Sequence, residues 1–110
     1  MALSTHVLDV AHGVPAAGLE VALVRIDGHD AREVARARTD ADGRIVAPFG
    51  GELTSGVYEL RFAAGAYHAK TGTPSFYDEI PVRFTVDDAT RHYHVPLLLS
   101  PWGYSTYRGS

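Results

Sequence analysis

Thr90-Arg91-His92-Tyr93-His94-Val95-Pro96-Leu97-Leu98-Leu99-Ser100-Pro101-Trp102-Gly103-Tyr104-Ser105-Thr106-Tyr107-Arg108-Gly109-Ser110 closes the chain and divides into strand, turn and strand. Successive side chains of a strand point to opposite faces of a sheet, so residues 91–99 sort by parity. Arg91, Tyr93, Val95, Leu97 and Leu99 share one side, a core face with Arg91 at its rim. His92, His94, Pro96 and Leu98 share the other, which is too apolar for plain solvent surface and too polar for plain core. That second face needs a cavity or a partner. Ser100-Pro101-Trp102-Gly103 carries turn chemistry, and Tyr104 to Ser110 is expected to return as a short strand. A disposable tail does not usually hold tyrosines, a tryptophan and an arginine in so few residues.

The rest of the chain must supply the core on which that strand lies. Its 110 residues, 1–110, make a single domain with room for one core. A hydrophobic content of 45% against 21% charged residues is that of a globular protein rather than a disordered one. The net charge of −3, with signs mixed, gives no large basic field, so nucleic acid is not an expected partner. With no cysteine, disulfides, thiolate chemistry and thiol zinc sites are excluded together. Stability then has to come from packing or from assembly. The opening Met1-Ala2-Leu3-Ser4-Thr5-His6 lacks the basic and apolar regions of a signal peptide, and no apolar run nears the roughly 20 residues that span a bilayer. The expectation is a soluble, cytoplasmic protein that makes no contact with a membrane.

Turn signals recur at short intervals. Leu3 to Val10 is the first expected strand, with His6 and Leu8 on one face and Thr5, Val7 and Asp9 on the other. His12-Gly13-Val14-Pro15 turns it. Leu19 to Ile26 and Glu33 to Thr39 read as the second and third strands, joined by a hairpin-type loop at Asp27-Gly28-His29-Asp30. Asp42-Gly43 marks a tight turn that delivers Arg44 to its far side. Asp40 and Asp42 suit turn formation through their own backbones; a calcium loop is excluded, because the glycine falls too early and the twelfth position holds no glutamate. Ile45 to Leu53 is irregular, Gly56 to Phe62 and Ile80 to Val86 are strands, and the alanine-rich Ala63 to Lys70 is the one expected helix. Seven to eight strands with one short helix predict an all-β sandwich.

Four stretches of the chain resemble a known family. Ser4-Thr5-His6-Val7-Leu8-Asp9, Asp42-Gly43-Arg44-Ile45, His92 to Pro101 and Tyr104 to Ser110 are similar to the transthyretin-related proteins, and within them to the 5-hydroxyisourate hydrolases. The likeness extends over essentially the whole chain, and the tetrapeptide Tyr107-Arg108-Gly109-Ser110 is its most specific part. The resemblance implies a transthyretin-like sandwich assembled as a homotetramer, a dimer of dimers with active sites at the mouths of an interface channel. It implies hydrolysis of 5-hydroxyisourate, the product of urate oxidation, to 2-oxo-4-hydroxy-4-carboxy-5-ureidoimidazoline, without a cofactor or a metal. Family roles fall on His6, Arg44, His94 and the tetrapeptide. In the hormone-carrier branch the histidine and arginine positions hold other residues and the tetrapeptide is missing.

The residues suit that chemistry in their own right. Opening a cyclic imide-like carbonyl with water needs a base, donors where the oxyanion develops, and groups that hold a flat polar ring. His94 and His6 both change protonation near neutral pH and either can be the base; His94 is read as nearest the water, with His6 orienting substrate or relaying a proton. Arg44 offers a planar fork to the ring's oxygens and positive charge to the tetrahedral intermediate. Tyr107 presents a flat face and a hydroxyl, Arg108 can contact substrate or anchor the tail, and Gly109 permits close backbone approach. Ser110 adds a hydroxyl and the terminal carboxylate, either of which could orient a histidine or the water. His12, His29, His68 and His92 are read as having no catalytic part.

Two other functions compete. A transthyretin-like binding protein would hold an aromatic ligand without turnover, but Tyr107 would plug a channel meant for a long guest. A zinc hydrolase could use His6, His92 and His94, since His-x-His on a strand supplies two ligands; Arg44 beside a dication opposes it, and no acidic ligand is evident.

Overall fold

Strict alternation shapes the first strand, β1 (Ala2–Asp9), in the computed structural model, which describes residues 2–110. Leu3, Thr5, Val7 and Asp9 are buried, while Ser4, His6 and Leu8 on the other face are only partly covered. Buried polar groups need partners, and both inward polar side chains have them. The Thr5 hydroxyl donates to the Val95 carbonyl at 2.6 Å. The Asp9 carboxylate accepts from the Tyr67 hydroxyl at 2.8 Å and from His12 Nδ1 at 2.9 Å.

The order continues as β2 (Val14–Pro15), β3 (Glu20–Asp27), β4 (Asp30–Arg38), β5 (Arg44–Ile45), β6 (Gly56–Phe62), α1 (Ala64–Lys70), β7 (Ile80–Val86), β8 (His92–Ser100) and β9 (Gly103–Thr106). One sheet runs β2-β1-β8-β9, with β5 also paired to β1; the other runs β4-β3-β6-β7. Leu3, Val7, Leu23, Leu60, Phe62, Ile80, Leu97 and Leu99 fill the space between the sheets, all shielded from solvent. Each such side chain contributes roughly 1.5–3 kcal/mol of burial. The expected all-β sandwich with one short helix is the architecture found.

The pairing of β1 with β8 positions everything that follows. It is parallel, setting Ser4 beside His94 and His6 beside Pro96. The first and last long strands therefore share one outer face at the middle of their sheet.

Apart from one-residue shifts at element ends, boundaries differ from the sequence reading at four sites, each for a local reason. The β3–β4 hairpin needs only Gly28 and His29 as its loop, with Gly28 at φ 61°, so β4 begins at Asp30 and not at Glu33. Two-residue strands form at Val14–Pro15 and Arg44–Ile45, too short to carry any alternation signal. The last strand ends at Thr106 instead of running to Ser110. Leu97 faces Thr106, so continued pairing would bring Tyr107 against Pro96, which has no N–H to give. The Thr106 hydroxyl donates to the Pro96 carbonyl at 2.7 Å instead. Pairing resumes in the same register one step past Val95, where Gly109 N–H donates to the His94 carbonyl at 2.8 Å.

Among the described residues no helix is long and apolar enough to cross a membrane.

Candidate active site

The turn before β5 is built by one aspartate. Asp40 Oδ1 accepts from the N–H groups of Asp42 at 2.9 Å and Arg44 at 3.0 Å, the side-chain turn for which aspartate is suited. Gly43 follows at φ 75°, where a Cβ would lie 2.5 Å from the Val7 carbonyl oxygen. The turn is thus pressed onto β1, and Arg44 comes to rest directly opposite His6. Directly paired residues present their side chains to the same face. His6 Nε2 is 2.9 Å from the Asp42 carbonyl. A carbonyl only accepts, so Nε2 carries the proton and the neutral ring keeps its lone pair at Nδ1.

His94 lies on the same face, one strand over. Its Nδ1 is 2.8 Å from Ser4 Oγ, and the same hydroxyl is 3.3 Å from His92 Nε2. On its other side the ring is backed by Gly109, where a Cβ would fall 2.5 Å from His94 Cδ2. Only glycine fits that approach without displacing the imidazole. Partial burial pushes the His94 pKa below the ordinary histidine value, and the charge of Arg44 and the neighbouring His92 and His6 push it the same way; a hydrogen bond to the Ser4 backbone opposes them. Positive charge on this ring is disfavoured, which leaves it neutral and able to accept a proton at neutral pH.

The structure thus brings His6, Arg44 and His94 to one face, with Gly109 against His94. A groove of about 230 Å³ beside Arg44 and His94 is lined by Ser4, Arg44, Val46, His92 and His94, while His6 and Gly109 lie outside its lining. Arg108 is not brought there: its guanidinium stacks over the Tyr93 ring at 4.5 Å from the centroid, on the core side of β8. Tyr107 is 58% exposed, and Ser110 is exposed beyond Gly109. A second groove of about 230 Å³, between β7 and the tail, is lined by Val82, Phe84, Tyr93, Val95, Tyr107 and Arg108, so Tyr107 borders this groove and not the first. It holds no histidine, so the first is the candidate site. Among the described residues no three histidine or acidic side chains stand close enough to hold a metal ion.

Ser4, His92 and the Asp42 carbonyl are the participants that sequence reasoning did not assign. Parity alone places Ser4 on the His6 face. Its contact with His92 and His94 depends on a pairing between opposite ends of the chain.

Residues 3–109 match the HIUase/Transthyretin family. The chain belongs to that family. Within the HIUase/Transthyretin family, the 5-hydroxyisourate hydrolase of Mesorhizobium japonicum is 54% identical, with 98% of this chain and 91% of that protein covered. The Klebsiella pneumoniae 5-hydroxyisourate hydrolase structure superposes with a TM-score of 0.88 at 39% identity, covering 100% of both chains. Sea bream transthyretin in complex with thyroxine gives a TM-score of 0.91 at 30% identity, covering 97% of this chain and 93% of that one. Backbone shape does not separate hydrolase from carrier in the HIUase/Transthyretin family. Sequence does, and it favours the hydrolases.

Proposed function

We infer that this protein is a 5-hydroxyisourate hydrolase, which opens the substrate ring with water to give 2-oxo-4-hydroxy-4-carboxy-5-ureidoimidazoline. The observation that carries the reading is the convergence of His6, Arg44 and His94 on one outer face, with the glycine of the C-terminal tetrapeptide seated against the His94 ring. A carrier has no use for a neutral imidazole held beside a guanidinium.

In this reading His94 Nε2 takes a proton from water as the oxygen adds to the ring carbonyl. Arg44 stabilises the oxyanion, an effect worth roughly 3 kcal/mol per well-placed donor. His6, its Nε2–H held by Asp42, turns its Nδ1 lone pair to a substrate N–H. The C–N bond then breaks and the leaving nitrogen receives the proton that His94 took. Tyr107 covers the flat ring, Ser110 supplies its hydroxyl at the mouth, and Arg108, stacked on Tyr93, ties the tail down.

The groove of about 230 Å³ falls below the roughly 300 Å³ at which ligand pockets begin. A second copy facing this sheet would complete it, and the site is proposed to sit at the interface of a homotetramer, a dimer of dimers. Val14, Trp102 and Tyr104 stand 47%, 69% and 41% exposed near the ends of the same sheet, in keeping with an interacting surface. The same reading puts the protein in the cytoplasm.

The direct test generates 5-hydroxyisourate from urate with urate oxidase and follows its ultraviolet decay. Decay faster than the spontaneous rate is expected. Binding without faster decay would instead make the protein a carrier.

A further inference from the structure

Resting on the hydrolase reading with His94 as base, we propose that Ser4 and His92 form a two-way proton relay behind His94, Ser4 passing the proton and His92 holding it between addition and ring opening. Ser4 Oγ is the shared atom, 2.8 Å from His94 Nδ1 and 3.3 Å from His92 Nε2. One hydroxyl has one proton to donate and lone pairs to accept with, so it bonds both imidazoles in a single sense at a time. For His94 to act as base through Nε2, its other nitrogen must be Nδ1–H. That proton points at Ser4 Oγ, which leaves the Ser4 O–H free to donate to His92 Nε2. The resting arrangement is therefore already a directed chain from His94 to His92.

The charges favour using it. When His94 takes the water's proton, an imidazolium forms in a partly buried place that faces Arg44 from β5 and His6 from β1. His92 is exposed to solvent, where a positive charge is hydrated. During addition the water proton goes to His94 Nε2, the Nδ1 proton to Ser4 Oγ, and the Ser4 hydroxyl proton to His92 Nε2. His94 and Ser4 end neutral, and the charge rests on His92. During ring opening His94 Nε2–H goes to the leaving nitrogen, and the relay runs backwards to restore Nδ1–H and neutral His92. Every proton is accounted for, and no outside acid or base is needed.

Ser4 is thus a positioning and relay residue and His92 a proton store, both on the wall of the groove beside His94. The test measures steady-state turnover and solvent isotope effects in mixtures of light and heavy water for wild type, Ser4→Ala, Ser4→Thr, His92→Ala and His94→Asn. Ser4→Ala and His92→Ala are expected to lower kcat about 10- to 100-fold with KM little changed, in keeping with general acid–base effects. Ser4→Thr, which keeps the hydroxyl, should recover most of the loss. The rate of wild type should fall along a curve with heavy-water fraction, as several protons move together, and that of Ser4→Ala along a straight line. Added imidazole should rescue His92→Ala, whose missing group faced solvent, and not Ser4→Ala. Wild-type kcat in both relay variants, with His94→Asn inactive, would overturn the relay and leave the base assignment standing. An active His94→Asn would overturn both. Equal losses in Ser4→Ala and Ser4→Thr, with the curvature kept, would reduce Ser4 to a packing role and overturn the relay.

Discussion

Gly109 shows how one missing methyl group can matter. A side-chain carbon there would stand 2.5 Å from His94 Cδ2, well inside contact distance, and the imidazole is the softer partner because the backbone is fixed by the Gly109 N–H to His94 carbonyl bond. Gly109→Ala should therefore swing the ring off Ser4 and lower kcat by about 100-fold, the order of loss for a misplacement of about 1 Å. Circular dichroism and the melting temperature should barely move; a variant with full turnover contradicts the contact's role. The protonation of His94 gives a second expectation. Burial, Arg44, His92 and His6 lower its pKa, so the neutral base persists to lower pH than a free histidine, which titrates near about 6.5. Turnover should hold as pH falls through that value and fail only below it. An acid limb at or above about pH 6.5 in a kcat/KM profile, which reports the free enzyme, would remove the assignment.

At the scale of elements, a turn and a tail frame the proposed site. The Asp40–Gly43 turn holds Arg44 opposite His6, and its glycine combines a φ of 75° with a Cβ position 2.5 Å from a backbone oxygen. Neither feature can relax through a side-chain rotation. Gly43→Ala should cost about 2 kcal/mol or more in urea unfolding, in the range of backbone strain together with overpacking, and activity should fall as Arg44 shifts. An unchanged unfolding midpoint speaks against this. The tail behaves differently, because its last residues make few of the contacts that hold the sandwich. Deleting Tyr107 to Ser110 removes the backing of His94 and the stacking of Arg108 on Tyr93, the latter worth about 0.5–1 kcal/mol. The truncated chain should fold and assemble but lose turnover, as read by sedimentation and by 5-hydroxyisourate decay. Retained activity in a truncated assembly counts against any part for the tetrapeptide.

For the whole molecule, the question is what lies against the outer face of the β1–β8 sheet. His6 and His94 are only partly covered and His92 is exposed, and Trp102 at the neighbouring turn is 69% exposed. An assembly that buries this face would also dry the site and strengthen the Arg44 charge there. The protein is expected to sediment as a tetramer at micromolar concentration, and charged substitution at Trp102 should dissociate it and lower turnover together. A stable monomer with full activity would show that one chain is a complete site.

Residues 91–99 and β1 yielded their faces to simple alternation, because side-chain direction in an extended strand is a local property of the backbone. The Asp42-Gly43 turn and the Ala64–Lys70 helix were equally legible, since turn and helix chemistry are settled within a few residues. The family resemblance drew His6, Arg44 and His94 together without geometry. Only the fold decided that β1 lies parallel to β8, and hence that Ser4 touches both His92 and His94, because pairing across some ninety residues is chosen by the packing of the entire core. The tail's path was likewise tertiary: Pro96 interrupts the ladder, yet His94 and Gly109 resume it in register. Alternation could say which way Arg108 points only once that register was known, and the register exists only where two distant strands meet.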